Sequence, residues 1–156
     1  MPDFYAEVVE PARQLEGELG LPSGFLERLL EEDDWSFVIK AHALVEAAVA
    51  HALIVRTGLQ SAAEFFTRLE LSNSKTGKLA LVESLDLLRS EERRFVRSLS
   101  ELRNFFVHDV KNVSASLSGY LANLSKDKRK VLALSFCSVD FSKTDVDLPP
   151  KSWTRC

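Results

Sequence analysis

The stretch WSFVIKAHALVEAAVAHALIVR, residues 35–56, decides the fold class of this chain. At about 100° per residue, its apolar side chains fall on almost every side of a helix. A helix that is apolar nearly all round usually lies at the centre of a bundle. One of its stripes also carries two polar side chains, His42 and Glu46. We therefore expect an all-α, up-and-down helical bundle built around residues 35–56.

The segments on either side of this helix also follow helical patterns. Proline in the interior of the first one lacks an N–H, so a kink is expected at Pro11. The last one is a short apolar run and is also compatible with an ending in a strand. The predicted helices cover residues 3–20, 24–32, 61–69, 78–88, 91–110, 115–124 and 126–136. We expect one domain over residues 1–141 and an irregular tail over residues 142–156.

Several residues are typical of helix ends. Small polar or acidic side chains accept hydrogen bonds from the first free amides of a helix, and glycine adopts the left-handed conformation that ends one. Ser61 and Glu64 have the spacing of a capping box. The other predicted N-terminal caps and the predicted stop are Ser23, Asp33 or Asp34, Ser90 and Gly58.

Composition narrows the function classes. The chain has 156 residues, of which 46% are hydrophobic, and a net charge of −3. Its net charge therefore does not attract it to nucleic acid. Its two cysteines form neither a disulfide framework nor a zinc motif, and we expect no metal and no cofactor. The N-terminus lacks the pattern of a signal peptide, and the apolar run AHALVEAAVAHALIV is shorter than a membrane span. These features predict a cytoplasmic protein without a membrane contact.

The segment SELRNFFVHDV, residues 100–110, places Arg103, Asn104 and His108 among large apolar residues. Histidine moves protons near neutral pH, and arginine is a permanently charged fork that suits phosphate. In a straight helix Arg103 and His108 lie about 140° apart. Either the helix ends or bends near His108, or two copies of the chain combine their side chains. The alternative is that these are ordinary surface charges or caps.

The spacing in ELRNFFVH, at the end of an amphipathic helix, resembles the R-N-x-x-x-H motif of the HEPN superfamily. The context SNSKTGKLALVESLDLLRSEERRFVRSLSELRNFFVH is similar to the mannitol operon repressor branch, as is FVIKAHALVEAAVAHAL. The resemblance covers roughly residues 33–110, about half of the chain. Val107 departs from it, because relatives often carry a small residue there.

The resemblance implies two functions. Many HEPN proteins are metal-independent endoribonucleases of the toxin or defence type, which act as homodimers with facing motifs and are often held by an antitoxin. Arg103 would then stabilise the phosphate, His108 would transfer protons and Asn104 would orient one of them. Others, including the mannitol repressor branch, are transcriptional regulators that act through protein contacts. A nuclease would place both motifs in one cleft, whereas a regulator would bury or separate them. Nucleotide binding without cleavage is a third possibility and needs a stacking aromatic, for which Phe105, Phe106 and Tyr120 are the candidates.

Four further groups of polar residues have alternative interpretations. His42 and Glu46, four apart, either support the motif by orienting Arg103 or His108, or form a pair within the core or at a dimer interface. The basic cluster KDKRK at 126–130 is most simply a solvated surface, and the acidic run EEDD at 31–34 would repel RNA and could receive a basic partner. Arginines spaced by four residues either track an RNA backbone or form a salt-bridged face with neighbouring glutamates: Arg89, Arg93 and Arg97.

Overall fold

The chain is an all-α protein, as the sequence predicts. The computed structural model describes residues 4–136, without the side chains of residues 4–8 and 11. No strand occurs within this range, and the predicted tail from residue 142 lies outside it. The helices are α1 (Phe4–Glu18), α2 (Phe25–Leu29), α3 (Asp34–Thr57), α4 (Ala63–Arg68), α5 (Lys78–Ser84), α6 (Ser90–His108), α7 (Leu117–Asn123) and α8 (Lys126–Phe136), with short 3-10 helices at Gln60–Ala62 and Val110–Ser114.

Helix α3 is the central element and begins and ends where the sequence indicates. The Asp33 side chain accepts a hydrogen bond from the Ser36 amide at 3.1 Å, which caps its first turn. Gly58 adopts a φ of 67° and donates its N–H to the Ile54 carbonyl at 2.9 Å, which closes the last turn. Between these ends α3 packs against α4, α5 and α6. It is therefore the scaffold on which the polar residues of the bundle are placed.

Helix α3 agrees in extent with the predicted helix over residues 35–56, to within one residue at each end. With 24 residues and a mean hydropathy of 1.7 over its most apolar window, it is long and apolar enough to cross a membrane by length and composition alone. The apolar run AHALVEAAVAHALIV covers only part of this helix, so the shortness of the run did not exclude a helix of spanning length. Within the described bundle, however, α3 is a packed helix that carries an ion-paired glutamate.

Two apolar clusters hold the bundle together. The larger one joins α3, α4, α5 and the first half of α6, and the smaller one joins the start of α3 to the second half of α6. Burial of such side chains contributes most of the favourable free energy of folding. The buried members of the larger cluster are Val49, Leu53, Phe66, Leu71, Leu79, Val82 and Val96, and those of the smaller one are Val38, Leu102 and Phe106.

Helix α6 ends at His108, and two side chains from elsewhere satisfy its last free carbonyls. Asn112 Nδ2 donates to the Phe105 carbonyl at 2.7 Å, and Trp35 Nε1 donates to the Phe106 carbonyl at 3.3 Å. The next residue, Asp109, is extended, with a φ of −130°. The helix thus stops rather than bends, and the motif residues occupy its final two turns.

Helix α8 runs back along α6 in the opposite direction. Its last residue, Phe136, packs edge-on against Phe95 near the start of α6, with ring centroids 5.2 Å apart. Helix α7, which precedes α8, packs Tyr120 against Phe105 near the end of α6, with centroids 4.6 Å apart. The first residues of α8 therefore point towards the end of α6 that carries Arg103 and His108.

Candidate functional site at the end of helix α6

The motif residues Arg103, Asn104 and His108, here called the motif trio, lie on the last two turns of α6. Arg103 Nη1 donates to Asn104 Oδ1 at 3.2 Å, so these neighbours form one polar unit, and both are partly buried. No carboxylate among the described side chains forms an ion pair with Arg103, so no charge within this part of the chain neutralises its guanidinium group.

His108 is exposed at the last position of α6. Over the described part of the chain it forms no side-chain hydrogen bond and no ion pair. Because the helix stops at His108 without bending, the separation of about 140° around the axis between Arg103 and His108 applies. Within one chain, the two side chains are therefore not directed at a single atom.

Glu46 contacts a residue that the sequence did not single out. The Lys78 ammonium group donates to Glu46 Oε1 at 2.8 Å and to the carbonyls of Thr67, at 3.1 Å, and Leu69. Lys78 is completely buried, with 0% of its surface exposed, whereas the Glu46 side chain is 35% exposed. A buried ammonium group requires such partners, because leaving it unpaired in a low-dielectric interior is costly. Glu46 thus fixes Lys78 rather than the motif trio.

His42 lies beside this pair and completes what we call the buried polar cluster, formed by His42, Glu46, Lys78 and Ser100. His42 Nε2 is 3.2 Å from the Ser100 hydroxyl, and its Nδ1 is 4.0 Å from Glu46 Oε2. Burial lowers the pKa of His42, Glu46 opposes this, and the positive charges of Arg103 and Lys78 lower the pKa further. The cluster thus matches the core-pair interpretation of His42 and Glu46, with Arg103 close enough to act on His42 by its charge alone.

The arginine row, Arg89, Arg93 and Arg97, is paired with acidic residues. Arg89 Nη2 lies 2.9 Å from Glu92, and the two close the first turn of α6 as a capping box. Arg93 and Arg97 both lie near Glu83 on α5, at 3.5 and 3.9 Å. Arg93 also donates to the Leu88 carbonyl at 2.6 Å. The geometry matches the salt-bridged alternative for this row.

The three aromatic residues that were candidates for base stacking pack against one another. Phe106 is completely buried, and Phe105 packs edge-on against it at 5.3 Å between ring centroids. Tyr120 covers Phe105 from α7, and burial raises the pKa of the Tyr120 hydroxyl. Their rings are therefore part of the packing that holds the end of α6 in place.

Lys78 is the residue that the sequence analysis missed. Its position directly after the polar loop SNSKTG gave no local sign of burial, and lysine is almost never fully buried unless it is paired. The only available signal was Glu46, an acidic residue on an apolar helix that needs a cation. Within residues 4–136, no group of three histidine, cysteine, aspartate or glutamate side chains is arranged to hold a metal ion.

Comparisons of the chain with protein-family models, curated proteins and solved structures gave no match. The resemblance of ELRNFFVH to the HEPN motif therefore rests on the residues themselves.

Proposed function

We propose that this protein is a HEPN-like, metal-independent endoribonuclease that acts as a homodimer. The observation that carries the proposal is the state of the motif trio. Arg103 donates to Asn104 and forms no ion pair with a described carboxylate, and His108 is exposed at the same end of α6. A cation and a proton carrier are the two groups that metal-independent phosphodiester cleavage requires, and the last two turns of α6 carry one of each.

The proposed reaction uses the 2′-OH of the RNA as the nucleophile. A neutral His108 accepts the proton of the 2′-OH while its oxygen attacks the adjacent phosphorus. The bond from phosphorus to the 5′ oxygen breaks, and His108 of the second copy, in its protonated form, donates a proton to this leaving oxygen. The products are a 2′,3′-cyclic phosphate and a 5′-hydroxyl end. Arg103 stabilises the negative charge that develops on the phosphoryl oxygens.

A dimer solves the geometric problem that a single chain leaves. Since Arg103 and His108 of one copy diverge around the helix axis, His108 of a second copy would supply the missing proton carrier. Val107, Val110 and Val113 surround this end of α6 and are 36%, 86% and 49% exposed. Apolar side chains exposed together favour association, because burying them removes apolar surface from water. We infer that they contribute to the dimer contact.

The test is cleavage of a fluorescently labelled single-stranded RNA by the purified protein in the presence of a chelator. We expect His108→Ala and Arg103→Ala each to lower the rate by at least about 10²-fold. His51→Ala is the matched control, because His51 is an exposed histidine on α3 away from the trio. Products that carry a cyclic phosphate would identify the 2′-OH mechanism. Cleavage that survives both motif substitutions would overturn the proposal.

The alternative is a non-catalytic regulator or protein-interaction module of the mannitol operon repressor type. The paired arginine row favours it, because Glu83 and Glu92 neutralise the cations that a nuclease would direct at RNA. The exposed valines would then receive another protein, such as an antitoxin or a transcription factor. Intact RNA after incubation with the purified dimer, together with loss of dimerisation in Val110→Asp, would favour this function over the nuclease.

A further inference from the structure

The first half of α8 is a basic segment that is exposed in the described part of the chain. All residues from 125 to 131 are exposed, whereas burial begins at Leu132 and Ala133, where α8 reaches α6. Four of these exposed residues are cations, and Asp127 is the only acid among them. We call the four the α8 basic patch: Lys126, Lys128, Arg129 and Lys130.

The charges of the α8 basic patch are not compensated within the described residues. None of its four side chains forms an ion pair or a side-chain hydrogen bond there. Lys126 and Lys130 are four residues apart on one helix face, where like charges repel each other. Cations in the first turn also oppose the helix dipole. The segment thus has an unfavourable electrostatic arrangement that an external polyanion would relieve.

The topology brings this patch to the candidate site. Because α8 runs antiparallel to α6, its first turn lies towards the end of α6 that carries Arg103 and His108. The arginine row lies on the first two turns of α6 and is paired with glutamates. Of the two basic regions, the α8 patch is therefore the one whose cations form no ion pair within residues 4–136.

The chemistry of the patch favours a phosphate backbone over a protein. Lysine ammonium groups on flexible stems act as point charges towards phosphates. Residues 125–131 contain no aromatic side chain and one exposed apolar side chain, Val131. Protein interfaces usually depend on a cluster of aromatic and apolar anchors, and a single valine does not form one.

We propose that the α8 basic patch binds the sugar-phosphate backbone of single-stranded RNA and directs it towards the motif trio. This inference rests on the proposed ribonuclease function and names its substrate-binding surface. Binding of this kind is independent of sequence and depends strongly on salt, because each neutralised phosphate releases counterions.

The test measures binding of a fluorescein-labelled, 2′-O-methylated RNA of about 20 nucleotides to the wild-type dimer by anisotropy. The methyl groups remove the 2′-OH nucleophile, so the probe is not cleaved. The patch variant carries Lys128→Gln, Arg129→Gln and Lys130→Gln. The control variant carries Arg56→Gln, Lys75→Gln and Arg94→Gln, which remove three exposed, unpaired cations elsewhere on the described surface and give the same net charge.

We expect the patch variant to bind roughly a hundredfold more weakly at about 0.1 M salt and its salt slope to fall by about 2, since each phosphate contact of a single strand contributes about 0.7. The control variant should bind like the wild type. An equal loss in both variants, no loss in the patch variant, or no binding by the wild type would each overturn the inference. Binding of polyglutamate but not RNA through the patch would also overturn it and would indicate an acidic protein partner.

Cleavage of unmodified RNA separates this inference from the proposed function. If RNA binds through the patch but is never cleaved, the inference about the binding surface is supported and the proposed nuclease function is contradicted. If cleavage depends on His108 but the patch variant and the wild type have the same KM, the nuclease function is supported and the inference about the patch is contradicted.

Discussion

The buried polar cluster is built from α3, α5 and α6, the motif trio lies on α6 alone, and the charged groups of the two regions differ in how they are paired. Lys78 is completely buried and donates to three acceptors. His108 is exposed and has no partner in the described bundle. Polar groups that hold a fold together are surrounded by partners, whereas groups that act on a ligand must keep their hydrogen-bonding capacity free. The contrast separates the residues that stability depends on from those that the proposed chemistry depends on.

The largest effect on stability is expected from Lys78→Ala. The substitution removes the ion pair with Glu46 and leaves the Thr67 and Leu69 carbonyls at the end of α4 without their donor. The lost hydrogen bonds of the buried ammonium group and the lost side-chain volume together should lower the free energy of unfolding by about 3 kcal/mol. Urea denaturation followed by far-UV circular dichroism measures this change.

Two controls bracket the Lys78 prediction. Lys75→Ala removes an exposed lysine from the same loop, and His108→Ala removes the exposed member of the motif trio. Each should change the free energy of unfolding by no more than about 0.5 kcal/mol. If His108→Ala were as destabilising as Lys78→Ala, the distinction between the two regions would not hold.

Gly77→Ala should have the next largest effect, because Gly77 closes the loop that delivers Lys78 to the core. A Cβ at this position would lie 2.5 Å from the Glu70 carbonyl oxygen and 2.6 Å from that of Asn73. Both atoms belong to the backbone, which also accepts hydrogen bonds from the amides of Gly77 and Lys78. We expect a loss of about 2 kcal/mol in a thermal or urea titration.

Gly17→Ala is the matched control for Gly77→Ala. Gly17 lies in α1, and a Cβ added there meets nothing within 4 Å. Alanine is the better helix former, so this variant should be as stable as the wild type or more stable by about 0.5 kcal/mol. A similar loss in both glycine variants would contradict a specific role of the loop.

A smaller effect is expected from pH, through His42. Burial lowers the pKa of His42 in the folded chain, so between this value and the unfolded pKa of about 6.5 the unfolded chain binds more protons. The contribution of neutral His42 to stability is therefore complete above about pH 6.5 and is lost as the pH falls through the folded pKa. We expect the free energy of unfolding to decline on acidification from pH 7 to about 5 and the decline to be weaker in His42→Gln.

His51→Gln provides the comparison for this measurement, since His51 is exposed on the same helix. A change in pH dependence that is seen in His42→Gln and absent from His51→Gln would assign the effect to His42. Charged neighbours of His42, namely Glu46, Arg103, Lys78 and Glu70, all act on its proton affinity. A decline that persists unchanged in His42→Gln would assign the acid sensitivity to other groups.

Patterns with a local physical cause were predictable from the sequence. The all-round apolarity of residues 35–56 placed α3 at the centre, and Asp33 and Gly58 marked its ends correctly. The heptad-like spacing of apolar residues located α6, and the structure ends this helix at His108, one of the two expected outcomes for one chain. In each case the signal and its structural consequence lie within a few residues of each other.

Features made by residues far apart in the chain escaped prediction. Ser23 does not cap α2; Glu16 of α1 instead accepts hydrogen bonds from the amides of Gly24 and Leu26, at 2.8 and 2.7 Å. The burial of Lys78 similarly depends on Glu46, 32 residues earlier. Such pairings are set by tertiary packing, which local patterns do not encode.

Two of the predicted N-terminal caps were wrong for reasons that lie close to them in the sequence. Ser90 is the first residue of α6 rather than its cap, because Glu92 reaches back to the amide of Arg89. Ser61 lies in a 3-10 turn instead of capping α4, and no side chain caps that helix. For the candidate site, the sequence identified the motif trio itself, and its openness to solvent became visible only with the packing of α3, α7 and α8 around α6.

The hydrogen bond from Trp35 to the Phe106 carbonyl has an optical consequence. The indole ring of Trp35, at the start of α3, contacts the backbone of Phe106, which lies two residues before His108 at the end of α6. The chain has one other tryptophan, Trp153, and Trp153→Phe would leave Trp35 as the only indole. The emission of this variant would respond to the polarity around the end of α6. The protein therefore carries its own fluorophore at the candidate site, and association of two chains or arrival of a polyanion there becomes visible without an attached dye.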